Sequence, residues 1–204
     1  MITIVNFGMG NLGSISNMLK KIGVEALVTS DAAQILAASK LILPGVGAFD
    51  SGMKKLGDLG LIKSLHTQVL QRKIPVLGIC LGMQLMTNGS EEGVLPGLGW
   101  ADAETRRFVP PANSGLKVPH MGWNVVTAKK PSALLRDMEG EQRYYFVHSY
   151  YVRCRNPNDV LLTADFSHEF DAGFERDNIM GVQFHPEKSH RFGMQLLRNF
   201  AGLA

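Results

Sequence analysis

One cysteine, set between two glycines where a strand-like run hands over to a helix-like run, restricts this chain more than any other feature. In IPVLGICLGMQLMTNG, residues 74 to 89, Cys80 follows an apolar β-like segment and precedes helical spacing, with Gly78 and Gly82 two positions away on either side. A strand that turns abruptly into a helix holds its corner residue in a strained conformation, so the neighbours must be small and the corner side chain projects above the sheet edge. The amides that open the helix, and its dipole, favour negative charge on the sulfur and offer N–H donors to an oxyanion. The bland alternative for a lone cysteine is a small buried hydrophobe, but a buried strand residue needs no flanking glycines.

The rest of the first half supplies a frame for such an elbow. Apolar runs at 2 to 6, 24 to 28, 40 to 43 and 74 to 79 read as strands, and stretches such as 14 to 22 and 53 to 72 have helical spacing. This βαβ rhythm predicts a parallel sheet with helices on both faces. After Asn88, short alternating runs at 104 to 109, 123 to 127, 144 to 152, 160 to 164 and 179 to 184 suggest hairpins and added antiparallel strands. A closing amphipathic helix is expected over 190 to 203, with Phe192, Leu196 and Phe200 as its buried stripe. The reading is an α/β chain forming one domain over residues 1 to 204, since no repeat, low-complexity tract or linker divides it.

An activated thiol needs a base and a group that orients the base. The run IMGVQFHPE, residues 179 to 187, is an apolar strand ending at His185, with Pro186 stopping the ladder and Glu187 two residues on. In a parallel α/β sheet the carboxyl ends of the strands face one crevice, so Cys80 and His185 can meet despite their separation in sequence. A third strand, KLILPGVGA at 40 to 48, breaks at Pro44-Gly45-Val46-Gly47, where glycines allow close backbone approach and N–H groups beside Leu81 can face an oxyanion; a plain turn explains that loop equally well.

Together these pieces resemble the class I (triad) glutamine amidotransferases, which carry the cysteine in G-x-C-x-G and the histidine and glutamate in H-P-E. FGMGNLGS (7 to 14), LPGVGAFD (43 to 50), GICLGMQLM (78 to 86), VPHMGWN (118 to 124), YYFVHSYY (144 to 151) and GVQFHPEKS (181 to 189) are similar, within that class, to the glutaminase subunits of imidazole glycerol phosphate synthases. The resemblance implies a three-layer, flavodoxin-like class I domain that hydrolyses glutamine and needs no metal or organic cofactor. It implies a heterodimer with a (βα)8-barrel cyclase, which would use the ammonia to form imidazole glycerol phosphate and AICAR in histidine biosynthesis. By the same resemblance Cys80 is the nucleophile, His185 the base and acid, and Glu187 the orienting carboxylate. Val46, Gly47 and Leu81 form the oxyanion region, and Gln84, Glu91, His148, Ser149 and Tyr150 hold the substrate. Asn11, His120, Trp123, Asn124 and Lys188 lie toward the cyclase. The chain departs from the family at HEFDAGFERDN, 168 to 178, where Phe170 and Asp171 replace the usual tyrosine-glycine pair. That departure leaves open a paralogue whose ammonia serves amidination of a surface (LPS O-antigen) sugar.

Composition excludes other classes. A net charge of +3 with scattered Lys and Arg indicates neither a nucleic-acid groove nor a polybasic membrane patch. No apolar run approaches the ~20 residues of a membrane span, and MITIVNFGMG lacks a basic leader, so a cytoplasmic protein is expected. The two cysteines, Cys80 and Cys154, have no metal-ligand spacing, and Cys154 reads as structural. His66 and His190 read as exposed. Gly8-Met9-Gly10-Asn11-Leu12-Gly13 fits G-x-G-x-x-G and is followed by Asp31, formally the fingerprint of a dinucleotide-binding oxidoreductase. Asp31 lies beyond the strand tip and no second nucleotide-binding half follows, so close approach by another chain is the better use of that loop.

Overall fold

The computed structural model describes residues 1–203. Its first half alternates β1 (Ile2–Val5), α1 (Leu12–Lys21), β2 (Ala26–Thr29), α2 (Ala32–Leu36), β3 (Leu41–Leu43), α3 (Phe49–Asp58), α4 (Ile62–His66), β4 (Val76–Ile79) and α5 (Leu81–Leu85). The second half contributes β5 (Ala103–Arg107), β6 (His120–Ala128), β7 (Gln142–His148), β8 (Tyr150–Cys154), β9 (Val160–Phe166), β10 (His168–Arg176), β11 (Ile179–Val182) and α6 (His190–Ala201).

These strands make one mixed sheet in the order β2-β1-β3-β4-β11-β10-β9-β6-β7, with β5 and β8 paired beside β10. The β2, β1, β3, β4 and β11 segment is parallel, and from β10 onward pairing is antiparallel. β1, β3, β4 and β11 are covered on both faces, which is why they read as largely apolar runs, while the edge strand β2 stays partly exposed. Period-two alternation then splits them between two cores. Ile2, Ile4, Ile42, Leu77 and Ile79 pack with Leu19 of α1 and Leu196 and Phe200 of α6. Val5, Leu41, Leu43 and Val76 pack with Phe49, Leu56 and Leu65 on the other face. Three layers result.

Three stretches differ from the sequence reading. The helical run expected over 53 to 72 breaks after Asp58, because Gly60 takes φ +67°; helix resumes at Ile62 and widens to a π-turn over Thr67–Gln71. Residues 144 to 152 form two strands divided at Ser149. The HEFDAGFERDN segment supplies the central strand β10, in which Phe170 is a core side chain and Asp171 accepts from the Cys154 amide at 2.8 Å. The departure at Phe170 and Asp171 therefore lies in the protein's interior, and says nothing about what the surface meets. Among the described residues no helix is long and apolar enough to cross a membrane.

Candidate active site

Cys80 occupies the corner between β4 and α5 with φ 54° and ψ −111°, a conformation that an L-residue adopts only under constraint. The flanking glycines explain the constraint. A Cβ on Gly82 would lie 1.7 Å from the Leu43 carbonyl oxygen, and one on Gly78 would lie 2.8 Å from the Met83 backbone. Helix α5 can sit this close to β3 and β4 only because both are bare. The Cys80 amide donates to the Val182 carbonyl of β11 at 2.8 Å, tying the corner to the strand that leads to His185.

His185 is buried at the end of that strand. Its Nδ1 meets Glu187 Oε1 at 2.8 Å, and both side chains are almost wholly covered. Ser189, the last residue of GVQFHPEKS and given no role by the sequence, fixes the turn: its hydroxyl donates to the His185 carbonyl at 2.6 Å and accepts from the Tyr145 amide at 3.0 Å. The other ring nitrogen, Nε2, has no hydrogen-bond partner among the described residues, and the Cys80 side chain is near enough to act on the ring's charge. Burial by itself lowers the imidazole pKa, but Cys80 and Glu187 both favour the cation and outweigh it, lifting the pKa to about 10. The ring therefore holds its proton more firmly than a free imidazole does.

A cavity of about 390 Å³ opens over Cys80 and is lined by Val46, Gly47, Leu81, Gln84, Pro119 and the His148-Ser149-Tyr150 run. Apart from Pro119, these are the expected oxyanion and substrate residues, brought together from three parts of the chain. Glu91 is not among them. It is exposed and its Oε2 accepts from the Arg107 amide at 2.7 Å, whereas Glu92 lines the cavity and accepts from the Phe49 amide at 2.8 Å. Both acids lie in the turn that follows the Ser90–Thr105 bridge, and the Arg107 and Phe49 amides hold their carboxylates apart. A larger cavity of about 600 Å³, between Val126, Lys130, Met138 and Tyr144, contains none of the site groups.

The residues expected to face a partner separate into two sets. Asn11, Trp123 and Lys188 are exposed, with Trp123 stacked on His190 at 5.6 Å and Lys188 Nζ 5.6 Å from the centre of the Tyr145 ring. His120, only 6% exposed, and the half-buried Asn124 point inward from β6, because residues 120, 122, 124 and 126 share one face of the strand. His120 cannot present itself to another chain. His66 is also half-buried, against Trp100, and not exposed as expected. The glycine loop that mimics a dinucleotide fingerprint is filled by its own chain. A Cβ on Gly10 would lie 3.4 Å from the Gly45 nitrogen, the Gly8 carbonyl accepts from Lys55 Nζ at 3.0 Å, and Asp31 caps α2 through the Ala33 amide at 2.7 Å.

His120 and His148 are buried side by side, 2.9 Å apart between ring nitrogens, and burial pushes their pKa values down to about 4 and about 3. Both bind a proton more weakly folded than unfolded, so the stability they contribute is present above the unfolded pKa near 6.5 and is lost as pH falls toward the folded values. At about pH 5 each should cost about 2 kcal/mol. The urea midpoint should therefore drop between about pH 7 and pH 5 while ring carbon resonances of both histidines stay neutral. Titration of either ring near 6.5 would refute the assignment.

Residues 3–202 match the family model described as glutamine amidotransferase class-I. The chain is 53% identical over 200 residues, 98% of each chain, to the Methanococcus maripaludis protein named imidazole glycerol phosphate synthase subunit HisH 2. It is 47% identical over 203 residues, with full coverage of both, to a Pseudomonas aeruginosa protein of the same name. Among solved structures, one described as a glutamine amidotransferase superposes with a TM-score of 0.75 at 19% identity, covering 100% of both chains, a likeness of fold.

Proposed function

The chain belongs to the class-I glutamine amidotransferases, in the group of HisH subunits of imidazole glycerol phosphate synthase, and from that premise we propose that Cys80, His185 and Glu187 hydrolyse glutamine and that the ammonia passes to a barrel-shaped cyclase subunit for histidine biosynthesis in the cytoplasm. The observation that carries the reading is the buried His185–Glu187 pair at 2.8 Å beside the elbow cysteine.

In this mechanism the Cys80 sulfur attacks the carboxamide carbon of glutamine, and the carbonyl electrons move onto oxygen, stabilised by amides of the Val46, Gly47 and Leu81 region. The carbon–nitrogen bond breaks as the imidazolium of His185 protonates the departing nitrogen, releasing ammonia and leaving a γ-glutamyl thioester. His185, now neutral, takes a proton from water, whose oxygen attacks the thioester; glutamate leaves and the sulfur is regenerated. Glu187 holds the ring by Nδ1 throughout. Glu92 offers a carboxylate to the substrate's α-ammonium, and the His148-Ser149-Tyr150 backbone lines the same cavity for its α-carboxylate. Ammonia released into bulk water would be protonated and lost, so the cyclase is expected to seal the exposed Trp123 and Lys188 face.

A glutamine analogue bearing a diazoketone tests the site. It should alkylate Cys80 and spare Cys154, whose thiol is half-buried and has its pKa pushed up by burial and by Asp171. Mass spectrometry reads the adduct. Labelling of Cys154 with Cys80 untouched would sink the proposal.

A further inference from the structure

Gln183 is a polar side chain in an apolar run, fully buried two residues before His185. Burying a carboxamide is costly unless both ends find partners, and here both do. Its Nε2 lies 3.7 Å from Cys80 Sγ, and its Oε1 accepts from Gln84 Nε2 at 3.1 Å.

The orientation of this amide follows from its neighbours. Gln84 Nε2 also donates to the Tyr150 carbonyl at 3.1 Å, and a carbonyl only accepts, so it is the NH2 end of Gln84 that faces Gln183. That places the oxygen of Gln183 toward Gln84 and its NH2 toward the sulfur. The same Tyr150 carbonyl takes a second bond, 2.7 Å, from His148 Nδ1, which must therefore carry the ring proton. His148 Nε2 then accepts from His120 Nδ1 at 2.9 Å, and His120 Nε2 accepts from Asn124 Nδ2 at 3.1 Å. Asn124 is itself oriented, since its Nδ2 also donates to the Asp165 carbonyl and its Oδ1 accepts from the Val125 amide, each at 2.8 Å. One assignment of protons satisfies every member.

We infer that Gln183 is a positioning residue of the glutaminase: its amide N–H holds the Cys80 sulfur, and the Gln84, Tyr150, His148, His120 and Asn124 chain keeps that amide turned donor first. The inference rests on Cys80 being the nucleophile. A donor on sulfur favours the charged thiolate over the thiol. Gln183 does not line the cavity, and Gln84, which does, keeps its bond to the Tyr150 carbonyl when Gln183 is changed, so the influence of Gln183 falls chiefly on the reactivity of sulfur.

Gln183→Met keeps the side chain's length and removes the donor; Gln183→Glu puts an oxygen against the sulfur. In the full chain, iodoacetamide alkylation of Cys80 at neutral pH should slow about tenfold in Gln183→Met and further in Gln183→Glu, with the deficit closing as pH is raised. Glutaminase kcat, measured with the cyclase present, should fall by a similar factor while KM changes by less than about twofold. A purely structural role predicts instead a lower Tm with an unaltered pH profile of alkylation, and that result overturns the inference. Should neither variant fold, the unmutated chain decides: the Gln183 side-chain amide resonance should move when Cys80 is alkylated while that of Gln195 on α6 stays, and an unmoved Gln183 signal overturns it. Glutamine hydrolysis surviving in Cys80→Ala defeats the underlying reading, whereas an inactive Cys80→Ala beside an unaltered Gln183→Met defeats this inference alone.

Discussion

Cys80→Ala is expected to lose glutamine hydrolysis by about 10⁴-fold or more, while the cyclase in complex with it still turns over when supplied with an ammonium salt. The two halves of the reaction separate because the substitution touches the amide-splitting chemistry and leaves the surface that meets the partner alone. Alanine should also be tolerated structurally. The backbone of residue 80 is held by the hydrogen bond its N–H donates to the Val182 carbonyl and by the packing of Gly78 and Gly82, none of which involves the sulfur. Assays with glutamine and with ammonium, run on the same complex, read both limbs. Retained glutamine-dependent turnover would remove Cys80 from the mechanism, and loss of the ammonium-dependent rate would show that the variant had damaged the complex instead.

The elbow was legible in the sequence because its geometry leaves a chemical trace: a strand that collides with the next helix unless two positions lack a Cβ must show glycines at those positions, and Gly78 and Gly82 do. His185 and Glu187 were legible for a similar reason. Both lie in one short turn after a strand, so local order alone brings Nδ1 and Oε1 together. The parallel half of the sheet declared itself through strands that are apolar at nearly every position, Thr3 and Thr29 being the exceptions. What sequence hid was parity and distance. Glu91 and Glu92 are adjacent acids in one turn, and contacts with the distant Arg107 and Phe49 amides separate the outward carboxylate from the one that lines the cavity. VPHMGWN reads as a loop of anchors, yet it enters β6, where alternation sends Met121 and Trp123 out and His120 and Asn124 in. Gln183 gave one signal, a carboxamide in an apolar run, but its partners Gln84 and Cys80 are 99 and 103 residues away, so its role depends on the β4–β11 pairing that no local pattern announces.

The isolated chain is expected to be a poor glutaminase whose kcat rises by roughly 10² to 10³ when the cyclase and its nucleotide-like substrate bind, with a smaller change in KM. The reason lies in the backbone beside the elbow. The Leu81 amide, one of the expected oxyanion donors, is engaged by the Gly45 carbonyl at 3.3 Å. Releasing it, or turning the next peptide toward the site, requires rotation within Gly45-Val46-Gly47. Glycine permits that rotation cheaply. Gly47 already has φ +118°, and a Cβ there would meet Met9 Cε at 2.6 Å, so this position is reserved for a residue without a side chain. A ligand can move such an equilibrium only by binding one state better than the other, which assigns the drive to the partner and its substrate. Withholding a single oxyanion donor accounts for a factor of this size. Trp123→Ala and Lys188→Ala, on the exposed face near His190 and Tyr145, should lessen the stimulation and leave the basal rate nearly unchanged. Steady-state glutaminase rates with and without partner and ligand decide the matter. A purified chain that hydrolyses glutamine at the full rate of the complex would mean that the Val46 and Gly47 donors already face the site, and that the Leu81–Gly45 bond restrains nothing.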